Sequence, residues 1–281
     1  MDSKFDYSGF PAGYYNEVIQ QGSPVRRAWH LQKFKRVIDC LPAGEDLAIL
    51  DIGCFAGTFL SMVDPRRFTR QLGVDVLPTQ IEYANQQFGT ANRSFRHIES
   101  LAALHDFTER FHVITLIEVI EHLDPADVAS VLAAAAKLLH PGGTLVLTTP
   151  NYTSSWPVLE LIINRVSEVS YEEQHITKFN YFNVQRKLER LAPGFFQDFS
   201  IRFKTTTHLI SPFLAQLSPE LAARSSEFLR HETWRFFPFG NLILMALIRI
   251  DQPSAQAFAA GGPASRPNVR ADARPFVEQG R

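Results

Sequence analysis

The sequence predicts an α/β fold built on a doubly wound, mostly parallel sheet, and three observations carry that reading. Short apolar runs at 47–52, 71–76, 111–117 and 144–149 alternate with longer stretches of helical character, the pattern of strands joined by crossover helices. The first run enters a glycine turn, Gly53 to Gly57, and then a helical segment. An acidic residue, Asp75, closes the Leu72-Gly73-Val74-Asp75 part of the second run, 22 positions after Gly53.

Residues 1–45 form an expected helical cap, with a helical run at 23–41 that carries Arg26, Arg27, His30, Lys33, Lys35 and Arg36 and stops before Pro42. Its basic residues are expected on a solvated face, where they would also suit a phosphate, and Trp29, Phe34, Tyr14 and Tyr15 could roof a site. The catalytic domain is expected over 46–252. Its clearest helix is 125–140: Asp124 stands at the N-cap, Pro125 in the first turn, and Pro141-Gly142-Gly143 is the expected stop. After a loop from Asn151, helical segments are expected over 156–192 and strands at 196–204 and 241–250. Residues 205–240 read as a lid-like, partly helical insertion whose Phe213, Leu214, Trp234, Phe236, Phe237 and Phe239 mostly pack. Residues 253–281, rich in Ala, Gly, Pro and Arg, read as a disordered tail.

With 281 residues, 45% of them hydrophobic, the chain can bury one sizeable core. The 28 basic and 29 acidic side chains give a net charge of −1, which argues against a nucleic-acid partner held by bulk charge. Two cysteines and no leader-like opening point to a reducing cytoplasm. The apolar stretch 242–250 is far shorter than the ~20 residues of a spanning helix, so any membrane contact is expected to be peripheral.

Ligands of such sheets bind at the carboxyl ends of the strands. Gly53 permits a tight turn, Gly57 allows close helix packing, and the helix N-terminus offers free N–H groups to a carboxylate. An acid placed like Asp75 can accept from ribose hydroxyls, so the two features describe an adenosine-containing cofactor. Phe55 stands where a dinucleotide fingerprint has its second glycine, which disfavours a pyrophosphate and with it a nicotinamide-dependent oxidoreductase. A second constellation, Glu118-Val119-Ile120-Glu121-His122, ends the 111–117 strand. If that turn is helical, Glu118 lies near Glu121 and His122, and with His175 they make a four-ligand site for a divalent cation such as magnesium or zinc. A metal there would orient substrate oxygens and lower a hydroxyl's pKa; without one, His122 is the candidate general base.

Leu50-Asp51-Ile52-Gly53-Cys54, Gly73-Val74-Asp75, Phe111 to Glu118 and Leu139-His140-Pro141-Gly142-Gly143-Thr144-Leu145, in that order, resemble class I S-adenosylmethionine (SAM)-dependent methyltransferases over about residues 47–250. Within them the chain is most similar to ubiquinone-biosynthesis O-methyltransferases of the type 11 and type 23 groups. The Glu118-x-x-Glu121-His122 run, Thr149-Pro150-Asn151 and the later His175 also resemble small-RNA 2′-O-methyltransferases. The resemblance implies a seven-stranded sheet with the last strand antiparallel near one edge, and SAM as cofactor. It places Asp51, Gly53, Cys54, Phe55 and Gly57 around the methionine and ribose of SAM, Asp75 and Val76 at the ribose, Glu99 and Leu101 beside adenine, and Glu118 in contact with the cofactor. Glu121 and His122 are the implied catalytic residues. The implied reaction is methyl transfer to an oxygen of a small or lipid- or nucleotide-linked molecule; a small-RNA 2′-O-methyltransferase and a catalytically silent binding protein are the alternatives. Two departures stand out: Phe55 replaces a common glycine and His112 a common aspartate.

Overall fold

A computed structural model describes residues 9–157, 175–228 and 237–251. Strand β1 (Ala48–Ile52) is buried along its whole length and lies in the middle of the sheet. It pairs in parallel with β2 (Arg70–Asp75) on one side and β4 (Phe111–Ile117) on the other. Beyond them lie β3 (Arg93–His97) on β2 and β5 (Leu139–Pro150) on β4, again parallel. The described residues form one seven-stranded sheet in the order β3-β2-β1-β4-β5-β7-β6, where β7 (Leu242–Arg249) runs antiparallel to both β5 and β6 (Phe199–Thr207). This is the expected α/β architecture, and the antiparallel strand sits one place in from the edge.

Alternation along the strands gives the sheet two apolar faces. Leu50, Ile52, Leu116 and Leu147 pack on one side with helix α5 (Pro125–Leu138), whose Val128, Val131, Leu132 and Leu138 are fully buried. Ile49, Val113 and Val146 pack on the other with Val37, Phe59 and Leu60, which belong to α2 (Pro24–Ile38) and α3 (Thr58–Ser61). Helix α1 (Tyr14–Gln21) precedes α2, and α4 (Pro78–Phe88) links β2 to β3.

Several boundaries differ from the expected ones. Asp124 caps α5 by accepting from the amides of Ala126 and Asp127, but the helix stops at Leu138, because Pro141 disfavours helical backbone at His140 and Leu139 already pairs with Phe111. Strand β3 has no apolar run to announce it: at the sheet edge only Phe95 is buried. Residues 195–198 are a helical turn, α7 (Phe195–Asp198), preceded by α6 (Val184–Leu191). Strand β6 continues to Thr207, whose neighbours Thr205 and Thr206 pair with Leu244 and Ile243, so the insertion starts after 207. Within it lie α8 (Ser211–Leu214) and α9 (Pro219–Phe228). Residues 175–183, expected within the 156–192 helices, are loop and turn, while positions 158–174 of that region, Trp234 and Phe236, and the 253–281 tail fall outside the described residues. Among the described residues no helix is long and apolar enough to cross a membrane.

Candidate active site

The β1 strand delivers the chain into the loop Gly53 to Gly57 at its carboxyl end. Gly53 and Gly57 have φ of 74° and 75°, the left-handed region that glycine enters without a Cβ penalty. Asp75, at the end of β2, organises the loop: its carboxylate accepts from the amides of Phe55 at 2.8 Å and Leu77 at 3.0 Å. Burial raises its proton affinity, against the lowering effect of those amides. Cys54 is buried, and its sulfur would lie 2.8 Å from a Cβ at Gly73, so it packs the loop onto β2. Phe55 adopts φ 47°, and its ring is met by Tyr15 at 4.9 Å and Phe10 at 6.2 Å between centroids. The side chain that would obstruct a pyrophosphate is thus an anchor for the aromatic cap, and the amides of Gly53, Cys54, Phe55 and Gly57 all donate within the protein, which fixes the loop beside the Asp75 carboxylate. Val76 is exposed beside it. Glu99 has a side chain 93% exposed, 3.7 Å from the His97 ring, and Leu101 packs against the core.

Asp51 lies under this loop, fully buried, and accepts from the Thr115 hydroxyl at 2.6 Å. Burial pushes its carboxyl from 3.8 up to about 7, opposed by the Thr115 hydrogen bond and reinforced by Asp75. The folded state therefore holds a proton that the unfolded chain releases, and stability falls as pH rises from about 3.8 to about 7. Asp51→Asn keeps the acceptor for Thr115 and removes the charge. It is expected to remove this group's share of the loss, on the order of a few kcal/mol, read as a melting temperature that falls between pH 4 and pH 7 less steeply in the variant than in the wild type.

The second cluster forms where β4 ends. Glu118 takes φ 54°, an uncommon backbone for a non-glycine residue, and its amide donates to the carbonyl and hydroxyl oxygens of Thr148, each at 3.1 Å. A 3-10 turn at Ile120–His122 follows. The Thr177 amide donates to the Glu121 carbonyl at 3.0 Å, which brings the 175–177 loop onto this turn. Ligand atoms of Glu121, His122 and His175 consequently lie within 4.8 Å of one another. Glu121 is 1% exposed, and neither of its carboxylate oxygens has a hydrogen-bond partner. Burial, then the charge of Glu118, pushes its carboxyl well above the usual carboxylate range; the nearby Thr149 hydroxyl, outside hydrogen-bonding geometry, offsets little of this. A buried carboxylate without a donor demands a proton or a cation. Burial also pulls His175 down to about 4 despite the opposing charge of Glu118, so its ring is neutral and able to donate a lone pair. The Tyr152 hydroxyl, 2.9 Å from its Nδ1, orients the ring.

The fourth expected ligand, Glu118, is paired with Lys33 of α2. Its carboxyl is raised by burial, but the ammonium of Lys33 outweighs that and holds it below the usual range. Lys33 and Arg36 are 5% and 1% exposed, so these two members of the basic run are not on a solvated face, although Arg26, Arg27 and Lys35 are. Arg36 pairs with Asp39 and with Glu227 of α9, and Phe34 packs against Phe59. Trp29 stacks on His208 at 4.6 Å and Trp156 at 5.5 Å, and Trp156 stands 6.1 Å from His175. His208 donates from Nε2 to the Trp29 carbonyl at 2.8 Å and is held neutral, near 4, by burial. His208, Trp156 and Tyr152 are site residues that no spacing in the sequence announces. Two expected motif residues are structural: Asn151 ties the loops at 181 and 238–240 together, and His112 accepts the Ala48 amide at 2.9 Å and stacks on His140.

The methyltransferase-domain family matches residues 26–193, more than half of the chain. The chain belongs to the SAM-dependent methyltransferases. The ubiquinone biosynthesis O-methyltransferase of Bartonella quintana (strain Toulouse) is 35% identical to this methyltransferase over 140 residues, 48% of this chain and 56% of that enzyme. The chain thus spans about half the length of the curated relatives it matches. A SAM-dependent methyltransferase from Mesorhizobium loti superposes with a TM-score of 0.55 at 18% identity, covering 78% of this chain and 98% of that one. The N-methyltransferase NodS from Bradyrhizobium japonicum WM9, in complex with S-adenosyl-L-homocysteine, superposes with a TM-score of 0.50 at 17% identity, covering 82% and 89%. These two likenesses are of fold. SAM is the cofactor of this methyltransferase.

Proposed function

We propose that this methyltransferase transfers the methyl group of SAM to an oxygen of a small or lipid-linked molecule bound against Glu121, His122 and His175. The observation that carries the reading is the buried, partnerless Glu121 carboxylate beside two imidazoles at the carboxyl end of β4. Bound SAM supplies a methyl carbon made electrophilic by its sulfonium. The Gly53 to Gly57 loop, with Asp51, Cys54 and Phe55 in and beneath it, and Asp75 with Val76 would hold the donor. Glu118 and Lys33 would close the crevice next to it. One carboxylate and two imidazoles suit zinc and similar nitrogen-accepting divalent ions; an ion there would orient the acceptor oxygen and favour its deprotonation. In the metal-free reading His122 takes that proton as general base. Trp156, packed against Trp29, would line the site beside His175. The O-methyltransferase names of the relatives support oxygen as acceptor atom.

Calorimetric titration of the purified chain with SAM and S-adenosylhomocysteine, with added zinc or magnesium and with a chelator control, tests the reading. Affinity of about micromolar for both, followed by metal-stimulated methylation of hydroxylated acceptors, is the expected result. A folded protein that binds neither compound overturns it in favour of a silent binding protein.

A further inference from the structure

Lys33 projects from α2 into the crevice, where its ammonium bonds Glu118; the two side chains are only 7% and 19% exposed. The pair joins residues 85 positions apart, and its field reaches further, since Lys33 acts electrostatically on both Glu121 and His208. A buried ammonium beside a cation site is unfavourable unless a carboxylate neutralises it, and Glu118 is that carboxylate. The atoms that converge as metal donors, within 4.8 Å, come from Glu121, His122 and His175, without Glu118.

We propose that Lys33 determines which metal the site accepts: by holding Glu118 in an ion pair it leaves one carboxylate and two imidazoles, and withholds the second carboxylate that a magnesium ion would need. Magnesium is a hard ion that binds through oxygen and keeps several waters, whereas zinc, cobalt and their neighbours take imidazole readily. A lone carboxylate with two nitrogens next to a fixed positive charge is therefore a poor magnesium site and an adequate zinc site. Without Lys33, Glu118 would be a buried carboxylate with no cation partner, and the adjacent donor trio is where a cation could serve it. The inference rests on the metal reading of the proposed function.

The test is titration of the chelator-stripped full chain with zinc and with magnesium, with S-adenosylhomocysteine titrated in parallel to report an intact cofactor fold. The wild type is expected to bind magnesium at least about a hundredfold more weakly than zinc. Lys33→Met, which keeps the apolar stem, is expected to raise magnesium affinity about tenfold or more relative to zinc, and Lys33→Arg to keep the wild-type ratio. Binding of S-adenosylhomocysteine without binding of either metal overturns the metal reading and this inference together. Metal binding with the same zinc-to-magnesium ratio in wild type and Lys33→Met overturns the inference alone. Where Lys33→Met does not fold, Lys33→Met with Glu118→Gln removes both charges. That variant is expected to keep the wild-type ratio, and a magnesium gain in it overturns the proposal.

Discussion

Replacing Glu121 by glutamine is expected to lower methyl transfer about a hundredfold or more while leaving SAM affinity within about threefold. The carboxylate lies in the turn after β4, whose Val119 packs beside Gly53, and is 1% exposed with both oxygens unpartnered, so its energetic role falls on whatever binds beside His122 and His175. Glutamine keeps the volume but supplies neither the charge that holds a divalent ion nor a site for a proton. The same loss is expected of His175→Ala, and a chelator should bring the wild type down to the level of the variants. Parallel steady-state kinetics and SAM titration check this. Turnover that persists in Glu121→Gln and resists chelation would show that the acceptor is activated elsewhere. Loss of SAM binding in equal measure would place Glu121 in the cofactor pocket instead.

The separation between what the sequence showed and what it hid follows the range of the interactions. Asp124 and Pro125 start α5 through contacts within three residues, and β1 and β4 are apolar because both their faces are covered, so each is written in its own segment. β3 is an edge strand with a single buried residue, and nothing local distinguishes it from a loop. The site divides in the same way. Gly53, Gly57, Asp75 and the Glu121-His122 pair sit at strand ends that the pattern locates. The Lys33 to Glu118 ion pair and the stacking of Trp29 on His208 join the cap and the insertion to the sheet across 85 and 179 positions, and they appear only once the fold has formed. Phe55 is the instructive case: read alone it is an obstruction, yet its contacts with Phe10 and Tyr15 make it one of the attachment points of the cap. Tertiary packing decides that, not spacing.

Gly57→Ala is expected to cost about 2–5 kcal/mol of stability and to abolish SAM binding at concentrations that saturate the wild type. Two costs combine. At φ 75° any Cβ strains the backbone, by roughly 1–2 kcal/mol. The new methyl would also lie 2.5 Å from Cε1 and 2.6 Å from Cζ of Phe95 and 2.9 Å from Cβ of Ala84. Phe95 is the one buried side chain of β3 and Ala84 is buried on α4, so neither moves without opening the packing between that helix and the sheet. Relief must come from the loop, which would lift Phe55 away from Asp75 and break the 2.8 Å bond that holds the turn. Gly142→Ala is the internal control. Its φ is 74°, but a Cβ there meets nothing within 4 Å, so it carries the backbone strain alone, about 1–2 kcal/mol, and leaves SAM affinity unchanged. Thermal melts and SAM titrations of the two variants separate strain from collision. Equal stability losses would mean that the loop relaxes around the methyl, and a SAM affinity retained in Gly57→Ala would remove the glycine turn from the cofactor site.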